Sequence, residues 1–94
     1  MLANTPVFLD KVKSENIDKE ILRIAIIAEL DAINLYEQLA DSTKDERIKG
    51  VLLDIAKEEK THVGELLALL IMLDKEQKEE LEKGREEVKE LLEG

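Results

Sequence analysis

The sequence predicts an all-α protein, an antiparallel two-helix hairpin followed by a short C-terminal helix. Three observations carry that expectation. No Gly or Pro interrupts the stretch from Asn16 to Asp41. Apolar residues recur every three or four positions instead of every second one, which is the period of a helix and not of a strand. The breaks between periodic stretches are only a few polar residues long, and short connections make long helices antiparallel neighbours.

Residues 1–16 hold the single Pro, Pro6, and the single Phe, Phe8. They are expected to form an extended arm whose apolar residues dock elsewhere. The first helix is expected over 17–41, with Ser14 or Asn16 as its cap. The run Asp41-Ser42-Thr43-Lys44-Asp45 then breaks the pattern. Ser42, with Asp45 three residues on, resembles a capping arrangement for a second helix over 43–73. Asp74 with Gln77 has the spacing of another cap, opening a third helix over 75–92 that ends near Gly94. From Asp74 to Gly94 there are nine acidic and five basic residues, with apolar side chains only at Leu81, Val88, Leu91 and Leu92. One narrow stripe and mixed charge describe a solvated amphipathic helix, braced on the hairpin or on a neighbour.

At 94 residues the chain makes a single domain. A lone chain of this size hides only about 65% of its unfolded surface, so association would help it. With 44% apolar and 39% charged residues it is too hydrophobic for a disordered tail. Its longest apolar stretch, Val63 to Leu73, is far too short to span a bilayer and contains Glu65. A net charge of -9, from 14 Lys and Arg against 23 Asp and Glu, argues against nucleic acid or an anionic membrane as the partner. It favours cations instead. The absence of Cys removes disulfides, thiolate metal sites and cysteine nucleophiles together. No signal peptide is visible in residues 1–16, so a cytoplasmic location is expected.

Two seams run along the main helices. In the first, Leu22, Ile26, Glu29, Ile33, Tyr36 and Ala40 alternate steps of four and three; in the second, Ile48, Leu52, Ile55, Glu59, His62, Leu66, Leu69 and Leu73 do so in three-four alternation. Glu29, Glu59 and His62 therefore fall on positions that pack between helices. Burying a carboxylate without a partner is so unfavourable that such a placement demands compensation, and a cation supplies it.

Glu59-x-x-His62 puts a carboxylate and an imidazole one turn apart on one helix face, where both can reach a single metal. Di-metal sites in helical bundles use one Glu from each of two helices and Glu-x-x-His from each of the other two. This chain holds half of that set. Two copies about a two-fold axis would provide four Glu and two His, with four negative charges set against the four positive charges of two divalent ions. Metal would then promote dimerisation, because the ligands come from both chains. Carboxylates with one imidazole per ion suit iron or manganese, and no thiolate is present to select a softer metal.

A second reading stands beside this one. Single polar residues in a seam commonly fix register or oligomeric state, and the chain would then be a non-catalytic helical assembly module, with any bound metal a structural staple. Tyr36, two turns after Glu29 on the same face, also has two readings. As a functional residue it hydrogen-bonds a ligand carboxylate or donates an electron; as a structural one it fills core space with its hydroxyl satisfied at an edge. Glu65 is one step off the seam, while Asp31 and Glu58 point elsewhere.

Taken together, Glu29 and Tyr36 in Ile27-Ala28-Glu29-Leu30-Asp31-Ala32-Ile33-Asn34-Leu35-Tyr36-Glu37, with Glu59 and His62 in Glu58-Glu59-Lys60-Thr61-His62, resemble the encapsulated ferritins. These are relatives of the ferritin and rubrerythrin group in which each short subunit carries one helical hairpin and half a di-iron centre. The resemblance covers most of the chain. It implies a ferritin-like four-helix bundle formed on dimerisation, in which Glu29, Glu59 and His62 from two chains bind two Fe ions and Tyr36 lies adjacent. It further implies ferroxidase activity, oxidation of Fe(II) by dioxygen, with Glu29 bridging the ions and Glu59 and His62 terminating each. A homo-oligomeric ring is implied as well, often a decamer of five dimers. That ring would sit inside an encapsulin nanocompartment in the cytoplasm, whose shell stores the oxidised iron. Two departures from the family pattern stand out: where members carry acidic residues of accessory iron sites just before and shortly after the first ligand Glu, the preceding position here is Ala28 and the later one is Asp31, and Leu35 replaces an aromatic neighbour of the tyrosine.

Overall fold

The computed structural model describes residues 8–94, and its elements follow from local competition for hydrogen bonds. A single 3-10 turn, Leu9–Lys11, precedes helix α1, Ile17–Ser42. Helix α2 spans Glu46–Leu73, and helix α3 spans Lys75–Glu93. Among the described residues there is no strand, and no helix is long and apolar enough to cross a membrane. The arm expected over 1–16 is not extended in its described part, because the Lys11 amide donates back to the Phe8 carbonyl and closes a turn. Residues 1–7 of that arm, Pro6 included, lie outside the described residues.

The cap between the first two helices also differs from expectation. Ser42 does not start α2; its hydroxyl donates to the Gln38 carbonyl at 2.9 Å and keeps it in the last turn of α1. Asp45 is the N-cap instead, accepting from the amides of Arg47 (2.9 Å) and Ile48 (3.4 Å). The second helix therefore begins at Glu46 and not at 43. At the other end of α1, Asn16 occupies the N-cap position in a helical conformation, so its side chain forms no capping bond.

Three connecting residues fold α2 back along α1 as an antiparallel hairpin, and at 1.5 Å per residue the two helices are about 40 Å long. Among the described residues, Ile33 and Ala40 of α1 and Ala56 and Leu70 of α2 are the buried apolar ones. On α2 the buried Ala56 and Leu70 mark the covered stripe, with Leu52, Ile55, Glu59, His62, Val63 and Leu66 partly covered. It overlaps the expected seam without matching it. Ile48, Leu69 and Leu73 stay about half exposed, one step round the helix. One hairpin can cover only a narrow stripe of each helix, so a chain rich in apolar residues is left with uncovered flanks.

Only Asp74 separates α2 from α3. Its carboxylate accepts from the Gln77 amide at 3.0 Å, and its own amide donates to the Leu70 carbonyl, so it closes one helix while opening the next. Helix α3 projects from the hairpin, and the principal extents are 47 × 45 × 20 Å. The radius of gyration, 16.7 Å, exceeds the roughly 12 Å of a compact domain this long.

Candidate metal centre

Glu29 sits near the middle of α1, while Glu59 and His62 sit near the middle of α2. Antiparallel pairing lays these two stretches side by side. The His62 Nδ1 lies 3.3 Å from a Glu29 carboxylate oxygen and 3.4 Å from a Glu59 carboxylate oxygen. One ligand atom from each of the three residues lies within 4.8 Å of the others. An i, i+3 spacing aligns Glu59 and His62 on one helix, but only hairpin register brings Glu29 across to them.

The environment is graded. The side chain of Glu59 is 19% exposed, that of Glu29 27% and that of His62 46%. The two carboxylates are thus the more covered groups, and the imidazole is nearly half exposed. Among the described residues His62 is the only ion-pair partner of Glu29 and of Glu59. Lys60, the residue next to Glu59, turns away and pairs with Glu37 at 2.9 Å. A single Nδ1–H can be shared by both carboxylates but offsets at most one of their charges. The cluster retains acceptor capacity on its open side.

The donor set is two carboxylates and one imidazole, hard oxygen with borderline nitrogen, which fits divalent iron or manganese. Three ligand groups on one side of an ion leave several positions for other donors. Tyr36 stands seven residues from Glu29 along α1, a rise of about 10 Å. Its side chain is half-buried. Glu58 and Glu65 are exposed and stand apart from the cluster. Asp31 lines a separate shallow groove with Asn34, Leu35 and Gln38.

Residues 20–93 match the protein family described as Rubrerythrin. The chain is 56% identical over 93 residues to the ferritin-like-encapsulin shell fusion protein of Pyrococcus furiosus, a match that covers 97% of this chain and 27% of that protein. It is 43% identical over 68 residues to the encapsulin nanocompartment cargo protein EncC of Myxococcus xanthus, covering 68% of this chain and 52% of that one. The chain therefore spans between about a quarter and a half of the length of these two curated relatives. Among solved structures it is similar to the encapsulated ferritin domain from Pyrococcus furiosus, with 57% identity, a TM-score of 0.81, and 96% of this chain and 88% of that one covered.

Proposed function

From the premise that this chain belongs to the rubrerythrin family, in its encapsulated-ferritin branch, we propose that it forms half of a di-iron ferroxidase centre completed by a second copy. One observation carries the reading: Glu29 and Glu59 converge on His62 from two helices, with the imidazole nearly half exposed. Such a half-site holds too few donors and too much negative charge to be an end point. A second copy, related by a two-fold axis, would bring the same three groups to the opposite side and would cover Ile48, Leu69 and Leu73.

In that assembly Glu59 and His62 would hold one ion per chain, and Glu29 of each copy would bridge the pair. Paired ions at bridged sites are typically about 3.5 to 4 Å apart and can share an electron transfer. Fe(II) is the substrate, giving up one electron per ion to dioxygen. With two Fe(II) oxidised per dioxygen, two protons are taken up and hydrogen peroxide leaves; with four, the product is water. The chain's own groups hold the ions, neutralise their charge and exclude bulk water. An ion held through Nδ1 takes the place of any proton there, and the other ring nitrogen keeps its hydrogen.

The names of the relatives, a shell fusion and a cargo protein, support a place for this chain inside an encapsulin nanocompartment, with the shell holding the oxidised iron. Tyr36 would act from two turns away, as a hydrogen-bonding or electron-donating group.

The test is aerobic Fe(II) oxidation, followed by absorbance, with oligomer mass recorded on the same samples. Wild type should outpace the protein-free control and gain mass with Fe(II). A Glu59→Ala, His62→Ala double variant should do neither.

A second reading has one observation in its favour. The cluster is internally hydrogen-bonded, since the His62 Nδ1 is within reach of both carboxylates without an ion. On that reading the residues fix register in a non-catalytic assembly module. Background oxidation by wild type and variant alike would establish it.

A further inference from the structure

The joint between α2 and α3 is built from one side chain that serves three helices. Asp74 is the most buried charged residue described, at 8% exposure. One carboxylate oxygen, Oδ1, accepts from the Gln77 amide and holds the first turn of α3. The other, Oδ2, accepts from Arg23 Nη2 of α1 at 2.6 Å. The Asp74 amide meanwhile donates to Leu70, the end of α2. A carboxylate is rigid and planar, so fixing one oxygen on α3 and the other on α1 fixes the direction of one helix against the other.

Little else sets that direction. The backbone of Asp74, at φ -126° and ψ 92°, lies in the broad extended region open to nearly any residue. Packing contributes little, since Leu81 is the only half-buried apolar residue of α3, Val88 is largely exposed, and Leu91 and Leu92 are each 80% exposed. A helix of 19 residues held through a single-residue joint would swing if only its cap held it. We propose that Arg23 and Asp74 form a latch that sets the angle at which α3 leaves the hairpin, a conformational control separate from the capping of α3 itself.

The two roles of Asp74 can be separated. Asp74→Asn keeps an oxygen for the Gln77 amide but presents an amide donor to the Arg23 donors. Arg23→Gln leaves the cap untouched and removes the tether. The chain has no Cys, so spin labels can be placed cleanly through Lys57→Cys on α2 and Lys89→Cys on α3, both exposed positions. Distances between the labels are measured by pulsed electron resonance, with labelled chains diluted in unlabelled protein and helix content followed by circular dichroism.

With the native pair, the distance distribution should be single and narrow. Asp74→Asn and Arg23→Gln should each at least double its width at unchanged helix content, their combination should add nothing, and Arg23→Lys should fall between. If Asp74→Asn loses helix content, Arg23→Gln decides alone. An unchanged distribution in Arg23→Gln overturns the latch and leaves Asp74 as a cap only.

Discussion

His62 is the residue on which the site turns, because it touches both carboxylates and is the most exposed of the three. If it is a ligand, His62→Ala should lower Fe(II) or Mn(II) affinity at least tenfold, as read by anaerobic calorimetry. The size of that loss follows from removing the only nitrogen donor in the cluster. Tyr36 should behave differently. Because it stands two turns from Glu29 along α1, a rise of about 10 Å, Tyr36→Phe is expected to leave metal stoichiometry unchanged, measured by elemental analysis after desalting, whatever it does to rate. Spacing alone placed Tyr36 and Glu59 equally well on the seam. The folded hairpin brings Glu59 together with Glu29 and His62.

At the scale of elements, burial decides which apolar residues hold the hairpin together. Leu70→Ala, at a position 3% exposed, should cost about 2 to 4 kcal/mol in denaturant unfolding. Leu91→Ala, on the uncovered part of α3, should cost close to nothing in an isolated protomer. Both helix caps carry an acid signature. The side-chain and backbone bonds from Arg47 hold the Asp45 carboxyl below its usual range, and the Gln77 amide, with the nearby charges of Lys19 and Arg23, does the same for Asp74 against the opposing effect of burial. A carboxyl lowered on folding contributes stability that is complete above its unfolded value, about 3.9, and is lost as pH falls through its folded value. Wild type should therefore be more stable than Asp74→Asn at pH 7, with the difference shrinking below about pH 4, as unfolding at both pH values would show. The Asp74 cap was legible from Asp74 and Gln77, whereas Ser42 misled, because a hydroxyl can satisfy itself within the preceding turn as readily as it can cap the next.

For the whole molecule, the proposed function makes the protomer, with Ile48, Leu69 and Leu73 about half exposed, one half of an assembly. If metal binds between copies, its binding energy becomes association energy, worth about 2.7 kcal/mol when free metal is at 100 times its dissociation constant. Mass measurements should then show a metal-dependent, chelator-reversible rise in oligomer size for wild type and none for the Glu59→Ala, His62→Ala variant. The amino-acid sequence by itself determined the helical class, the hairpin and the presence of two carboxylates and an imidazole on packing positions, because periodicity, caps and the lack of Gly or Pro act within a few residues of one another. Which face of α2 meets α1, and so why Ala56 and Leu70 are buried while Ile48 and Leu69 are not, was decided only by tertiary structure. So was the crossing of Arg23 to Asp74, fifty-one residues apart. Local pattern narrows a helix to a stripe, but adjacent stripes are one residue step apart, and only the partner helix chooses between them.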